Sequence, residues 1–405
     1  MPRVLHVLSQ RPSLTGSGVT IEALVRHSAE RGWEQRAIIG IPEGSELPPV
    51  GGLGVHRIHP LRFGGDALPF PIPGMSDVMP YESTRFSEMT PAMVDTYRER
   101  WRAHLESVRD VFSPDVIHVH HIWLLASLVR DVFPDAPIVN HCHATGLRQM
   151  QLAPHLAEDV VRGCRRNDRF AVLHGAHQEA LAAALDVPRS RIHIVGAGYR
   201  EETFHPPESP RPMDKRRILY AGKLSHAKGL PWLLDAFERV AASVEDVVLE
   251  IAGSGGGSEA AALAERIQSL APRVVGLGHV DQETLADRMR AAEIFVLPSF
   301  YEGLPLVLVE AHACGARVIS TDLAGVRAEL APPLGDALIC VDLPRIHGPD
   351  TPDPADLPAF VDRLEGALMQ ALALPPPTVD PARLAPFTWR AVHARVAQIW
   401  SELLG

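Results

Sequence analysis

The feature that most constrains the fold is an alternation of short apolar runs with amphipathic stretches, which occurs twice along the 405 residues. Strand-like runs in the first half lie at 3–8, 115–120, 137–142, 169–174 and 191–196. Those of the second half lie at 216–222, 247–253, 293–298 and 316–320. Strands that alternate with helices indicate parallel sheets with crossover helices. We therefore predict an α/β protein with two doubly wound, Rossmann-like domains, which face each other across a cleft.

The proposed domain boundaries follow from where this alternation stops. We place the first domain at 1–196 and the second at 216–385, with a proline-rich, charged linker at 197–215. A terminal helix is expected within 386–405, since Val392, Val396 and Trp400 recur at helical spacing. Residues 42–92 carry many prolines and glycines and are interpreted as an irregular excursion from the first domain, either functional or a tolerated insertion.

Composition and charge exclude several classes of protein. An apolar content of 46% with 22% charged residues is typical of a globular protein, and no apolar run approaches the ~18–20 residues of a membrane span. The net charge is −10, with 21 basic and 21 acidic residues up to position 200 and all of the excess beyond it. This argues against nucleic acid as a partner and makes membrane association unexpected. Four scattered cysteines and the lack of a secretory h-region favour a cytoplasmic location.

Lysine is scarce, and its placement is informative. The chain has 36 arginines but only three lysines, and two of these, Lys223 and Lys228, lie in the segment "YAGKLSHAKG" after a predicted strand. Gly222 and Gly229 flank the pair and would let the backbone approach a ligand. Two cations at the carboxyl end of a strand suit a diphosphate. Two solvated surface lysines are the alternative.

Two glutamates bracket an uncharged run in "YEGLPLVLVEAHACG", residues 301–315. Glu302 follows a predicted strand and precedes a helix that we expect to begin near Leu304, so phosphate could contact the helix amino end. Glu310 would lie about 9–12 Å further along, at ~1.5 Å per residue. That separation suits two acceptors that hold opposite ends of an elongated ligand, whereas surface carboxylates are the alternative.

Other turns and histidines add weaker signals. Gly16 and Gly18 would let amides point at an anion, and Gly255 lies in a second glycine-rich turn suited to a nucleotide base or ribose. His118, His120, His121, His141 and His143 lie near predicted strand ends. Because no cysteine or carboxylate accompanies them at ligand spacing, we predict hydrogen bonding along a cleft rather than a metal site, and no metal cofactor.

Together these stretches resemble the retaining glycosyltransferases of family 4 (group 1), which have the GT-B architecture and use sugar nucleotides. The resemblance is strong from about 216 to 335 and diffuse in 42–110. The paired-glutamate signature of the family matches "EGLPLVLVE", and its Gly-Arg/Lys-Leu…Lys-Gly loop matches "AGKLSHAKG". "DVIHVHH" and "HCHATGLRQ" are similar to strand ends of its first domain, and "FTWRAVHARV" to the helix that crosses back to that domain.

The resemblance implies a role for each matching residue. Glu302 would bind hydroxyls of the donor sugar, Glu310 the ribose, and Lys223 and Lys228 the diphosphate. The backbone near Gly18 and at Gly303, Leu304 and Pro305 would contact phosphate. His143 would reach the transferred sugar, and His279–Val280 would cap the base. Two segments depart from the family: Ala144-Thr145-Gly146 replaces Gly-Thr-Asp, and Gly198-Tyr199-Arg200 replaces Gly-Val-Asp.

The expected activity is transfer of a sugar with retention, from a UDP-sugar or secondly a GDP-sugar, to a small soluble acceptor and without a metal. The leaving diphosphate would act as the electrostatic sink and base. A sugar-nucleotide 2-epimerase of the same fold and a non-catalytic sugar-nucleotide-binding protein are the alternatives. A phosphorylase with pyridoxal phosphate is disfavoured because no lysine follows Lys228.

Overall fold

A computed structural model describes residues 1–12, 15–76, 79–209, 215–348 and 350–405. The chain divides into two compact units. The first unit comprises Met1–Gly198 and Trp389–Gly405, and the second comprises Tyr199–Thr388. The divisions therefore lie two and three residues beyond the boundaries expected from the sequence at 196 and 385.

The first unit is built on a sheet to which seven strands contribute among the described residues, all parallel, in the order β3-β2-β1-β6-β7-β8-β9. The strands of this unit are β1 Arg3–Leu8, β2 Glu34–Pro42, β3 Ile58–Phe63, the two-residue strands β4 Pro73–Gly74 and β5 Thr84–Arg85, β6 Val116–His120, β7 Ile138–Cys142, β8 Arg169–Val172 and β9 Ile192–Ile194. The order reverses direction between β1 and β6, which is the topological switch point of a doubly wound sheet.

Helices connect these strands and cover the sheet. They are α1 Gly16–Glu30, α2 Pro91–Arg109, α3 Leu124–Val132, α4 Thr145–Leu152, α5 Pro154–Cys164 and α6 Gly175–Leu185. The core contains Trp101, Trp123 and Phe170, all of them almost fully buried. All-parallel sheets need cover on both faces, so their strands are apolar almost throughout.

The excursion expected at 42–92 is only partly irregular, which corrects that prediction. Ile58–Phe63 is a strand of the main sheet and pairs with β2 from Ala37↔Ile58 to Pro42↔Phe63. Pro60 lies within it, and proline is tolerated because β3 is an edge strand, where one side of the backbone needs no partner. Residues 77 and 78 of this segment lie outside the described residues.

The second unit repeats the architecture: six strands among its described residues form its main sheet, all parallel, in the order β12-β11-β10-β13-β14-β15. Its strands are β10 Arg216–Ala221, β11 Val247–Ala252, β12 Val274–Gly278, β13 Ile294–Leu297, β14 Arg317–Thr321, β15 Leu338–Val341 and a hairpin of β16 Ile346–His347 with β17 Thr351–Pro352. Numbered within the unit, the order is 3-2-1-4-5-6, that of a dinucleotide-binding Rossmann sheet. The switch point lies between β10 and β13.

The helices of the second unit pack around a core that includes Tyr220, Phe237 and Phe295. They are α7 Leu230–Ser243, α8 Gly257–Ser269, α9 Gln282–Ala291, α10 Val307–Ala313, α11 Ala331–Leu334, α12 Leu357–Ala373 and α13 Pro381–Leu384. The two units thus share the doubly wound, Rossmann-like fold expected from the sequence.

The predicted linker and the terminal helix both have defined places. Tyr199 and Phe204 are buried in the core of the second unit, so the start of the 197–215 segment is not a free tether; residues 210–214 lie outside the described residues. The last helix, α14 Trp389–Leu404, belongs to the first unit. Its residues Val396 and Trp400 pack with strand residues of that unit.

None of the helices in the described ranges combines the length and the hydropathy that a bilayer span requires.

Candidate active site

The strongest constellation lies at the switch point of the second sheet, where β10 and β13 are neighbours. Lys228 follows β10 and Glu302 follows β13, and the Lys228 Nζ donates to Glu302 Oε1 at 2.6 Å. The two side chains are only 22% and 18% exposed. Ligands of open α/β sheets bind beyond the carboxyl ends of strands at such points. The structure therefore brings together two of the residues that the sequence singled out.

The backbone around Lys228 is held close to the loop that carries Glu302. Gly229 has φ +69°, and a Cβ at this position would lie 2.1 Å from the carbonyl oxygen of Pro298. The amide of Phe300 donates to the carbonyl of Ala227 at 3.0 Å. Only glycine permits this approach, since any side chain would clash and the left-handed backbone disfavours L-residues. Gly229 therefore positions Lys228 beside Glu302.

Tyr220 holds the backbone of the other lysine, Lys223. Its hydroxyl donates to the carbonyl oxygen of Lys223 at 2.7 Å, and its ring is fully buried. Burial raises the pKa of Tyr220 well above its ordinary value, and the negative charge of Glu302 adds to this. The phenol consequently stays neutral and serves as a donor that holds the loop. Lys223 itself is partly exposed, in the loop between Gly222 and the turn 226–228.

The glycines after β10 and β11 let two backbones meet. A Cβ on Gly253, where φ is +144°, would lie 1.8 Å from the carbonyl oxygen of Gly222, and the Gly222 amide donates to Ala252 at 3.0 Å. Gly255 is exposed, and a Cβ there would lie 3.0 Å from the carbonyl oxygen of Leu224. These turns present main chain rather than side chains at this edge of the sheet.

The helix after Glu302 begins later than predicted. It spans Val307–Ala313, so the expected start near Leu304 is wrong by three residues, and Glu302, Gly303 and Leu304 lie in an extended loop. Pro305 is buried, and its carbonyl accepts from the amide of Leu308 at 3.0 Å. With only seven residues, this helix provides a weaker dipole than the one that we expected to hold phosphate.

Glu310 lies within that helix in an environment unlike that of Glu302. Burial raises its pKa to about 7, and the positive charge of Arg200 opposes this effect. A carboxyl group with such a pKa is only half ionised at neutral pH. Hydroxyl groups that donate hydrogen bonds to its charged form would favour ionisation. Arg200 stands where the family pattern has an aspartate, and sequence reasoning gave it no role. The sequence signal for Arg200 was the replacement of the family's Gly-Val-Asp by Gly198-Tyr199-Arg200.

The segment expected to cap a base follows β12, at the edge of the second sheet. His279 is exposed, whereas Val280 is half-buried and packs against the core of the unit. Asp281 then caps α9, because its side chain accepts from the amide of Thr284 at 2.8 Å. Val280 thus combines a fixed backbone with a partly exposed apolar surface.

In the first unit, Gly16 and Gly18 open α1 after β1, and residues 13 and 14 just before them lie outside the described residues. Thr15 is the N-cap, and its side chain accepts from the amide of Gly18 at 3.2 Å. A Cβ on Gly16 would meet no atom of the described residues within 4 Å. Phosphate binding by the Gly18 amide therefore remains a prediction, and it would require this capping bond to open.

The histidines of β6 and β7, together with His143 just after β7, form one cluster in the first unit. The rings of His141 and His143 stack with centroids 4.3 Å apart, and His120 Nδ1 lies 3.1 Å from His143 Nε2. His118 Nε2 lies 3.2 Å from His141 Nδ1. Burial lowers the pKa of all four rings, that of His141 to about 3, so they are neutral at physiological pH. His143 alone among these four is partly exposed, and the other three are buried inside the unit, which is deeper than a wall of a cleft.

Two residues beside this cluster adopt a strained backbone. His121 has φ +67° and Ala144 has φ +69°, although neither is glycine. The His121 ring lies 3.0 Å from the Thr145 hydroxyl, and a Cβ on Gly146 would lie 2.5 Å from the carbonyl oxygen of Ile122. Strained residues of this kind cluster at functional sites. Ala144 takes the position where the family pattern has glycine, which would adopt this conformation without strain.

Comparison with known families agrees with the fold. A model described as "Glycosyl transferase 4-like domain" matches residues 15–198, and one described as "Glycosyl transferases group 1" matches 215–342, so together they match more than half of the chain. D-inositol 3-phosphate glycosyltransferases from Xylanimonas cellulosilytica and Mycolicibacterium smegmatis are both 28% identical, over 56% and 64% of this chain. The chain spans 60% and 62% of the lengths of these two relatives.

A longer match is a phosphatidyl-myo-inositol mannosyltransferase from Mycobacterium tuberculosis, 25% identical over 84% of both chains. Solved structures show the same fold at low sequence identity. Sucrose-phosphate synthase from Thermosynechococcus elongatus superposes with a TM-score of 0.71 at 18% identity, covering 100% of this chain and 99% of its own. Anabaena HepE, solved with UDP and glucose, superposes with a TM-score of 0.60 at 14% identity, covering 99% and 100%.

Two Rossmann-like units, the paired glutamates and the lysine loop thus coincide with matches to both halves of one family, and the chain belongs to the family 4 (group 1) glycosyltransferases of GT-B architecture.

Proposed function

We propose that this protein transfers a sugar from a nucleotide diphosphate sugar to a small soluble acceptor, with retention of the anomeric configuration. UDP-sugars are the first candidates for the donor and GDP-sugars the second. The observation that carries the proposal is the Lys228–Glu302 pair at the switch point of the second sheet, 2.6 Å apart and largely shielded from solvent.

The chemistry follows from the charges at this edge. A diphosphate leaving group develops negative charge as the bond to the sugar breaks, and Lys228 with Lys223 supplies positive charge after the same strand. Fixed cations in a partly buried site stabilise such charge strongly. Because two ammonium groups can take this role, we propose that no divalent metal is required.

The paired carboxylate has a second task in this proposal. While Lys228 neutralises it, Glu302 can remain ionised in its partly buried position, as an acceptor for sugar hydroxyls. Glu310 would accept from the ribose hydroxyls at the other end of the donor. His143, which is partly exposed in the first unit, would contact the transferred sugar.

The relatives support the class of donor and acceptor only broadly. Two are named for transfer to D-inositol 3-phosphate and one for mannosyl transfer to a phosphatidyl-myo-inositol, and HepE was solved with UDP and glucose. We propose a small polar acceptor rather than a lipid, since the first half of the chain carries no excess of basic residues.

The test uses purified full-length protein with UDP- and GDP-sugars and a panel of polyols and sugar phosphates. We expect nucleotide release that depends on acceptor and persists in EDTA, with a product that keeps the donor's anomeric configuration by NMR. Lys228→Ala should lower turnover by about 10²–10³-fold, as the loss of one charge-stabilising donor typically does. Lys215→Ala is the matched control, because Lys215 is exposed and lies before β10. Equal rates for the two variants would contradict the role of Lys228, and epimerised donor without transfer would identify a 2-epimerase.

A further inference from the structure

A chain of hydrogen bonds in the first unit determines which ring nitrogen carries the proton in two of its buried histidines. It begins at Trp400 in α14, whose indole Nε1 donates to His118 Nδ1 at 3.1 Å. Indole nitrogen is a donor only, so His118 Nδ1 must be the bare nitrogen of that ring. The neutral ring then carries its proton on Nε2. Both residues are fully buried.

The hydrogen bond between His118 and His141 then determines which nitrogen of His141 carries the proton. His118 Nε2 lies 3.2 Å from His141 Nδ1, and since His118 carries its proton on Nε2, it donates and His141 accepts. His141 in turn carries its proton on Nε2, a buried atom for which the described part of the chain offers no hydrogen-bond partner. Trp400 thereby sets the tautomers of two histidines in sequence.

The same bonds argue against a metal at this cluster. His118, His120 and His141 each place one ring nitrogen within 4.8 Å of the others, close enough to consider a three-histidine site. A metal needs a bare lone pair from each ring, and the bare nitrogen of His118 already accepts from Trp400. The cluster is therefore better explained as a hydrogen-bonded network.

A separate hydrogen-bonded pair of the same cluster includes the partly exposed His143. His120 Nδ1 and His143 Nε2 lie 3.1 Å apart and share one proton. His120 Nε2 is buried and has no hydrogen-bond partner among the described residues. His141 already buries one unpaired N–H; if His143 donated, His120 would bury a second, and buried unpaired N–H groups are rare in proteins. The arrangement that avoids this has the proton on His120 Nδ1, donated to His143 Nε2.

We propose that His120 is a positioning residue that holds the proton of His143 on Nδ1. His143 then offers an N–H donor, rather than a bare lone pair, to a hydroxyl oxygen of the transferred sugar. Stacking of His143 on His141, with an interplanar angle of 8°, keeps the ring orientation fixed. The sugar contact rests on the proposed function, whereas the tautomer does not.

The tautomer is tested on the wild-type protein without any substrate. Long-range ¹H–¹⁵N correlation of ¹⁵N-histidine-labelled protein distinguishes Nδ1–H from Nε2–H, and the spectrum of His143→Asn identifies the signals of His143. We expect His143 and His120 as Nδ1–H, and His118 and His141 as Nε2–H. An Nε2–H signal for His143 would overturn the proposal, as would a stoichiometric transition metal bound by the three histidines in metal analysis of the purified protein.

The functional consequence is tested with a matched pair at one position. In His120→Asn the amide nitrogen can replace Nδ1 as the donor, whereas His120→Asp offers only acceptors and would force the proton of His143 onto Nε2. We expect the Asn variant to keep kcat within about threefold of wild type and the Asp variant to lose about 100-fold, the scale for one misplaced donor. KM for the acceptor should change little.

Thermal unfolding and the same ¹⁵N spectra separate folding from function. Equal kcat for the two folded variants would overturn the positioning role. If the Asp variant does not fold, His120→Leu serves instead, since it removes the donor without adding charge, and it should lose activity that the Asn variant keeps. An Nδ1–H signal in a wild-type protein that transfers no sugar from any donor would count against the proposed function and leave the tautomer assignment standing.

Discussion

Glu310 should lower the stability of the second unit at neutral pH, and Glu310→Gln should therefore stabilise it. Its pKa is about 7 in the folded protein against 4.5 for an unperturbed glutamate, because burial disfavours the charged form. Each pKa unit corresponds to about 1.4 kcal/mol, so the shift amounts to at most about 3 kcal/mol, reduced by the part of the side chain that remains exposed.

The direction of the pH dependence follows from the linkage between proton binding and folding. A carboxyl whose folded pKa is raised binds its proton more tightly in the folded state, so its contribution is fully present below pH 4.5 and is lost as the pH rises towards 7. The free energy of unfolding of the wild type should fall over that window relative to the Gln variant. At pH 5 the two proteins should differ little, and at pH 8 Glu310→Gln should be more stable by about 2–3 kcal/mol.

Hydrogen exchange of peptides from β13 and β14, followed by mass spectrometry at pH 5 and pH 8, measures the stability of this unit in the intact protein. Glu302→Gln is the matched control: it removes the partner of Lys228 and should cost about 1 kcal/mol instead of stabilising. A stability difference between wild type and Glu310→Gln that does not change with pH would refute the reasoning. The stabilised variant should also bind UDP or GDP more weakly if Glu310 accepts from the ribose.

Two further predictions concern the backbone around the candidate site. Ala144→Gly should raise the free energy of unfolding by up to about 1 kcal/mol, because relief of a left-handed alanine at φ +69° exceeds the entropy cost of glycine. The control is Ala183→Gly at an exposed position of α6, which should lower the free energy of unfolding by about 1 kcal/mol. Denaturant unfolding of the two variants measures both changes. Gly229→Ala should destabilise the second unit by about 3 kcal/mol or more, because its Cβ would lie 2.1 Å from the carbonyl oxygen of Pro298. The control is Gly256→Ala, whose Cβ would have no described atom within 4 Å, and it should leave the stability nearly unchanged. Scanning calorimetry of both variants measures the difference. Similar melting temperatures for the two glycine variants would contradict this account of the loop.

Some elements could be predicted well from local sequence, and others could not. The central strands β1, β6 and β10 were placed within one residue because buried parallel strands are continuous apolar runs. β3 was missed because its proline and arginine read as loop, and only pairing with β2 makes it a strand. The start of α10 was misplaced because Gly-Leu-Pro suggests a helix amino end, whereas the observed loop continues to Val307.

The candidate site shows the same division. Scarcity of lysine and the spacing of two glutamates were visible in the chain itself, and they sufficed to nominate Lys228 and Glu302. The sequence could not show that these two pair with each other, or that Glu310 has a raised pKa, because both depend on which groups the fold brings near and how much water it removes.

The sequence by itself determined the two doubly wound units and the chemical types of residue at their strand ends, because hydrophobic periodicity and residue chemistry are local properties. Only the tertiary structure decided the hydrogen-bond partner of His118, since it sets Trp400 of the last helix against His118 of β6, residues 282 positions apart. A tautomer depends on which nitrogen meets a donor, and that contact exists only once the chain has folded.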